Sequence, residues 1–189
     1  MTSAHPTTAL PAVARPLGLK LAGALAGTLA VALAAQASVP LPGTPVPMTL
    51  QPLAVLIVGG LLGPRYGALS MVMYLALGAA GLPVFTPGGL PGAARLFGPT
   101  GGYLIAYPFA AALVGWVTAS PRRGAALLGA LLGILAIHAG GLAQLMVITG
   151  SIQQALVFGT VPFIIGDLAK VAVAALVIRR GFPHTRALR

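Results

Sequence analysis

The sequence predicts an all-α integral membrane protein, a single bundle of about six helices, and three observations carry that expectation. Hydrophobic residues make up 58% of the 189 and charged residues 6%, whereas a soluble domain carries roughly 25% charged residues. Mean hydropathy is +0.98, so the chain lacks the polar surface to cover itself in water. The apolar runs are continuous rather than alternating, which argues against a β-barrel.

Residues 1–16 are polar, with Thr, Pro and His, and read as a flexible tail before one membrane domain, 17–180. The first span is 17–37. Ala35-Gln36-Ala37 has the small-residue look of a signal-peptide cleavage site, but the run is long enough to cross the bilayer. Ala22, Ala26, Ala30 and Ala34 recur every four residues. That spacing builds a smooth ridge, suited either to a helix of the same bundle or to another subunit. Residues 39–51 hold Pro40, Pro42, Pro45 and Pro47 and no charge, which makes a stiff, non-helical loop. Thr49 and Gln51 stand at its end, where Pro52 suits the first turn of a helix. The second span, 52–62, is short. Gly63-Pro64-Arg65 makes a turn, and the third span, 67–82, contains Ser70 and Tyr74.

Residues 82–103 are the densest Gly/Pro stretch of the chain and too long for a plain connector. Phe85, Leu90, Leu96 and Phe97 give it something to bury, so it reads as a folded lid over the bundle mouth, between the third and fourth spans. The fourth span is 101–117, ending before Ser120-Pro121-Arg122-Arg123. The fifth, 125–148, holds His138 and Gln144. A lone His in a span reads first as a satisfied packing residue. Residues 151–158 suit a half-helix capped by Ser151. Pro162 opens the sixth span, which runs to 178, and 181–189 is a basic tail.

The chain has one acidic residue, Asp167, with Lys170 three positions on. At about 100° per residue the two lie roughly 60° apart on a helix, so they share a face. An ionised carboxylate in hydrocarbon needs a partner, a cavity or a ligand. The pair therefore either neutralises itself or offers a ligand an acceptor beside a donor. With both termini cytoplasmic, the inside loops hold Arg15, Lys20, Arg65, Arg122, Arg123, Arg179, Arg180, Arg186 and Arg189. Arg95, in the long outside loop, is the exception. The sixth span enters from that same side, so one mouth gathers Arg95, the lid and the pair. Arg95 is either a solvated loop charge or a fork for a carboxylate. The ligand these parts describe is a small amphipathic acid with an amide- or urea-like head, resting on Tyr74, Phe85 or Tyr103.

Several classes are excluded. The net charge of +10 is scattered between apolar runs rather than interleaved with aromatics, unlike a nucleic-acid surface. No Gly-Lys dipeptide occurs, so there is no P-loop. The three His and one Asp lack metal-ligand spacing. Ser70 and Ser151 have no evident base, and one carboxylate cannot supply an acid–base pair. No enzyme, cofactor or metal is expected. A single acid is also thin for proton coupling, so a transporter of this kind would draw its energy from a partner. With no cysteine, redox compartment cannot be read.

Val46-Pro47-Met48-Thr49-Leu50-Gln51, Leu61-Leu62-Gly63-Pro64-Arg65-Tyr66-Gly67, Gly81-Leu82-Pro83-Val84-Phe85, Gly98-Pro99-Thr100-Gly101-Gly102-Tyr103 and Gly166-Asp167-Leu168-Ala169-Lys170 resemble the BioY family. These are the biotin-binding S subunits of energy-coupling factor (ECF) vitamin transporters. The resemblance spans about 17–178, nearly the whole chain, with the motifs in order. It implies a six-helix S-component bundle in the plasma membrane that captures biotin from outside, with a transmembrane T subunit and two ABC-type ATPases driving release. It assigns Asp167 and Lys170 to the ureido ring and Arg95 to the valerate carboxylate. Gln51, Thr49, Thr100 and Gly101 join the expected ligand set with Tyr74, Phe85 and Tyr103. The ridge Ala22, Ala26, Ala30, Ala34 would meet the T subunit. Two competing readings are an ion-coupled secondary transporter of a related acid and a scaffold without transport.

Overall fold

The computed structural model describes residues 17–185, with side chains through Gly181. The expected tail 1–16 and residues 186–189 lie outside the described residues. The helices are α1 (Leu17–Gln36), α2 (Gln51–Ala79), α3 (Gly101–Val117), α4 (Ala125–Thr149), α5 (Ile152–Gly159) and α6 (Ile164–Thr185). Among the described residues, four stretches are long and apolar enough to cross a membrane: α1, α2, α4 and the run Ile152–Gly181. α3 is apolar but only 17 residues long.

α2 combines two of the expected spans, and it is bent. Gly63 has φ 79° and ψ −179°, a conformation that needs glycine. Pro64 follows it and removes a backbone donor. The Gln51 and Tyr74 side chains meet at 2.7 Å although they are 23 residues apart. A straight helix would separate them by about 35 Å. The arms 51–62 and 64–79 therefore run antiparallel, as the Gly63-Pro64-Arg65 turn anticipates. α3 packs directly onto them. A Cβ on Gly59 would lie 2.7 Å from the Ala111 Cα, so only a hydrogen there permits so close an approach. Val55, Leu56, Met71, Tyr74, Val114 and Ile137 fill the core between these helices.

α1 turns Ala24, Gly27, Thr28, Val31 and Ala35 inward, a spacing of three and four that makes one helical stripe. The Thr28 hydroxyl donates to the carbonyls of Ala24 and Ser70, at 3.1 and 2.9 Å. Ala22, Ala26 and Ala30 are exposed and Ala34 half-buried. The alanine ridge therefore faces away from this bundle, which removes the reading that it packs inside it. Leu25, Leu29 and Leu33 border it, also exposed.

Two loops depart from expectation. Ser38–Val39 (β1) pairs antiparallel with Met48–Thr49 (β2). The four prolines all fall between these strands, so they break no ladder hydrogen bond; the sequence reads here only as a stiff, non-helical loop. In the Gly/Pro-rich segment, a 3-10 helix, Gly92–Phe97, forms. Phe85 is buried and Leu96 half-buried, but Leu90 and Phe97 point outward, Phe97 at 82% exposure. Only part of the expected apolar anchor is used. α5 is the expected half-helix, with the Ser151 hydroxyl accepting from the Gln154 N–H at 3.4 Å. α6 continues through Thr185, past the start expected for the basic tail.

The two ends of the bundle differ in charge. Lys20 Nζ lies 5.7 Å from the Tyr66 ring, next to Arg65. Arg122, Arg123 and Arg179 border one groove. α3 spans about 25 Å between that end and the Gly/Pro-rich segment. Arg95 sits at the other end.

Candidate ligand-binding site

Asp167 owes its position to Pro162. The turn Val161–Phe163 precedes α6, burying Phe163, and places Asp167 in the first turn of that helix. A carboxylate there is favoured by the unpaired N–H groups of the helix start. Asp167 and Lys170 are each 7% exposed. Lys170 Nζ donates to Asp167 Oδ1 at 2.8 Å. The other carboxylate oxygen, Oδ2, lies 2.7 Å from His138 Nε2. An ionised carboxylate only accepts hydrogen bonds, so Nε2 carries a proton. Nδ1 lies 3.4 Å from the Thr160 hydroxyl. His138 is thus a member of this cluster, which its place as a lone His in a span does not reveal. The one sequence signal is its presence in an apolar run that otherwise holds no titratable group.

A second polar cluster is built on Gln51. Its amide donates to the Tyr74 hydroxyl at 2.7 Å, and its carbonyl accepts from Thr86 Oγ1 at 3.0 Å and Thr49 Oγ1 at 3.3 Å. Arg95 donates from Nη2 to the Thr86 carbonyl. Arg95 is 8% exposed, and its Nε has no hydrogen-bond partner. Burial pulls Arg95 below its ordinary pKa, partly offset by Tyr74, yet a guanidinium stays charged. No second acidic side chain exists to neutralise it, since the one in the chain already binds Lys170 and His138.

Both clusters line one cavity, partly open to solvent. Of the residues singled out in sequence, Asp167, Lys170, Arg95, Gln51, Thr49, Phe85, Thr100 and Tyr103 line it. Tyr74 and Gly101 do not. Tyr74 is fully buried behind Gln51, edge-on to Phe85 with ring centroids 5.4 Å apart. Gly101 lies against the Leu96 carbonyl, where a Cβ would come within 1.9 Å. Thr86, Tyr107 and His138 line the cavity without having been singled out for it. Gln144, on α4, ties the Gly/Pro-rich segment down by donating to the carbonyls of Leu96 and Gly98, at 3.0 and 2.7 Å. The Tyr103 hydroxyl donates to the Gly159 carbonyl at 2.7 Å, which fixes its ring at the wall.

The cavity sets one carboxylate, Asp167, against two basic side chains, Lys170 and Arg95. The surplus is one positive charge, buried, with a donor atom unused. Such a site suits a ligand with one anionic group, and elsewhere an N–H for Asp167 and an acceptor for Lys170. Aromatic and aliphatic walls, among them Phe85, Tyr107 and Ile134, suit an apolar body between the two.

The BioY family profile matches residues 8–187. A probable biotin transporter BioY of Pyrococcus horikoshii is 40% identical over 136 residues, covering 72% of this chain and 80% of the relative. A biotin transporter BioY of Thermotoga maritima is 37% identical over 156 residues, covering 82% and 92%. Among solved structures, the crystal structure of the S-component for biotin from an ECF-type ABC transporter superposes with a TM-score of 0.78 at 31% identity. It covers 89% of this chain and 95% of its own.

Proposed function

The chain belongs to the BioY family, and from that we propose that it is the biotin-binding subunit of an ECF-type vitamin uptake transporter. It is a transport subunit rather than an enzyme, and biotin is its cargo, not a cofactor. The observation that carries the reading is the charge balance of the cavity. A buried guanidinium without an anionic partner faces the same space as an Asp–Lys pair. Biotin supplies the missing groups. Its carboxylate meets Arg95, including the unused Nε. Its ureido N–H donates to Asp167, which retains free lone pairs, and its carbonyl accepts from Lys170. Phe85 and Tyr103 hold the ring and chain between.

The energy comes from partners. The sequence has no nucleotide-binding loop, and the one carboxylate is held by two donors, which leaves no free acid for proton coupling. The superposed relative is the S-component of an ECF-type ABC transporter, which supports a T subunit and two ATPases as the drivers. The outward alanine face of α1 is the surface offered to the T subunit. The basic end of the bundle is cytoplasmic and the cavity opens outward, on the positive-inside rule. Isothermal titration of the purified protein with biotin tests the reading, with mass spectrometry for co-purified ligand. Saturable binding at one site supports it. No heat and no retained biotin would overturn it.

A further inference from the structure

We propose that His138 is a positioning residue for the head group of the ligand, holding the Asp167 carboxylate in the one orientation that can accept from a ring N–H. The proposal rests on the biotin reading above.

Lys170 grips Asp167 from one turn along the same helix, through Oδ1. That pair moves as a unit with α6. A single contact at one oxygen also leaves the carboxyl plane loosely set, because rotation about an sp³–sp² bond is broad. His138 removes both freedoms. It stands on α4, 29 residues away in sequence, and reaches the other oxygen at 2.7 Å. Among the described residues it is the one hydrogen-bond partner of Asp167 from another helix. Two donors on two oxygens fix the carboxyl plane and tie it to α4, whose Ile134 and Ile137 form part of the same cavity wall. The imidazole is itself oriented. Thr160, just before the turn into α6, faces Nδ1 at 3.4 Å, and the Tyr103 ring stands edge-on to it at 6.1 Å.

His138 Nε2 donates to Asp167 from one side and Lys170 Nζ from the other. Asp167 is therefore fixed as an acceptor, and the group it meets must be a donor. A head group presenting a bare thioether or a second carbonyl would leave the remaining lone pairs unmet in a dry site. His138 thus favours N–H-bearing rings over acids of similar size that lack one.

The test is biotin titration of His138→Gln, His138→Asn and His138→Leu in the full-length protein. The Gln amide nitrogen falls close to the position of Nε2, whereas that of Asn falls near Nδ1. Gln should keep affinity within about threefold. Asn and Leu should each lose roughly ten- to a hundredfold, the cost of leaving a buried polar group unpaired. If Leu binds biotin as tightly as His, or if Gln is no better than Asn, His138 is packing only and the proposal fails. If Leu does not fold, the comparison of Gln with Asn decides alone. Absence of binding by the unaltered protein is a separate result, which would overturn the biotin reading itself.

Discussion

Arg95 and Asp167 carry opposite burdens, and each can be tested by its removal. Arg95 is buried with Nε unpaired, so its free state is costly and a carboxylate relieves it. Arg95→Ala should weaken biotin by about 2–5 kcal/mol, the range for removing one member of a buried charge pair. The same change should cost much less for the neutral amide of biotin, which calorimetry with both ligands reads directly. Equal losses for acid and amide would show that Arg95 does not meet the carboxylate. Asp167→Asn leaves Lys170 and Arg95 buried in a chain with no other acidic side chain. It should destabilise the protein by about 3–5 kcal/mol, seen as a lowered melting temperature in detergent. Replacing both members, Asp167→Leu with Lys170→Met, should restore much of that stability while biotin binding stays lost. A double variant that still binds would make the pair a structural element and nothing more. These three charges are legible in sequence because ionisable groups are so scarce that each one in an apolar run calls for a reason. His138 is not legible in the same way. Its meaning depends on a carboxylate 29 residues away on another helix, and no periodicity connects them. Tyr74 and Gly101 stand off the cavity wall for a related reason. Both stand next to the site, but one holds Gln51 from behind and the other admits the Leu96 carbonyl.

Helices are legible here because lipid makes every span an apolar run, and Gly63-Pro64 marks its reversal without ambiguity. The weak points are where short-range contacts decide. The β1–β2 pairing is two residues on each side, below any pattern that alternation could reveal, and the prolines between conceal it. The outward set of Leu90 and Phe97 depends on how the Gly/Pro-rich segment folds over α3 and α4, which composition does not determine. α1 shows what helical periodicity can and cannot say. The four-residue repeat identifies a ridge, but only the inward stripe of Ala24, Gly27, Thr28 and Val31 settles that the ridge looks away from the bundle. That placement makes a separation of functions testable. Ala26→Leu thickens an exposed ridge without touching the core or the cavity. It should leave biotin titration unchanged, within twofold, yet prevent co-purification with the T subunit when the two are co-expressed, because small residues permit the close backbone approach. Unimpaired co-purification would move the docking face elsewhere.

At the scale of the whole molecule, the net charge of +10 is a statement about orientation rather than about a partner. Lys20, Arg65, Arg122, Arg123 and Arg179 belong to the end of the bundle remote from the cavity. Arg95 alone among the described cations of the loops lies at the cavity end, and there it is buried rather than solvated. The asymmetry matches the rule that cytoplasmic loops hold the Lys and Arg excess, and on the function proposed above the buried exception serves the ligand. Uptake requires that the cavity open to the outside, so orientation and function stand together. The absence of native cysteine permits a direct measurement, since any thiol introduced is the only one. Leu90, in the Gly/Pro-rich segment, is 51% exposed, and Ala119, beside Arg122 in the turn after α3, is exposed as well. In intact cells a membrane-impermeant maleimide should label Leu90→Cys at once and reach Ala119→Cys only after permeabilisation. Adding biotin beforehand should slow the first reaction if the segment tightens over the occupied cavity, and should leave the second unchanged. Labelling of Ala119→Cys in intact cells, with Leu90→Cys protected until permeabilisation, would place the cavity on the cytoplasmic side, and a subunit so oriented could not capture its vitamin from outside.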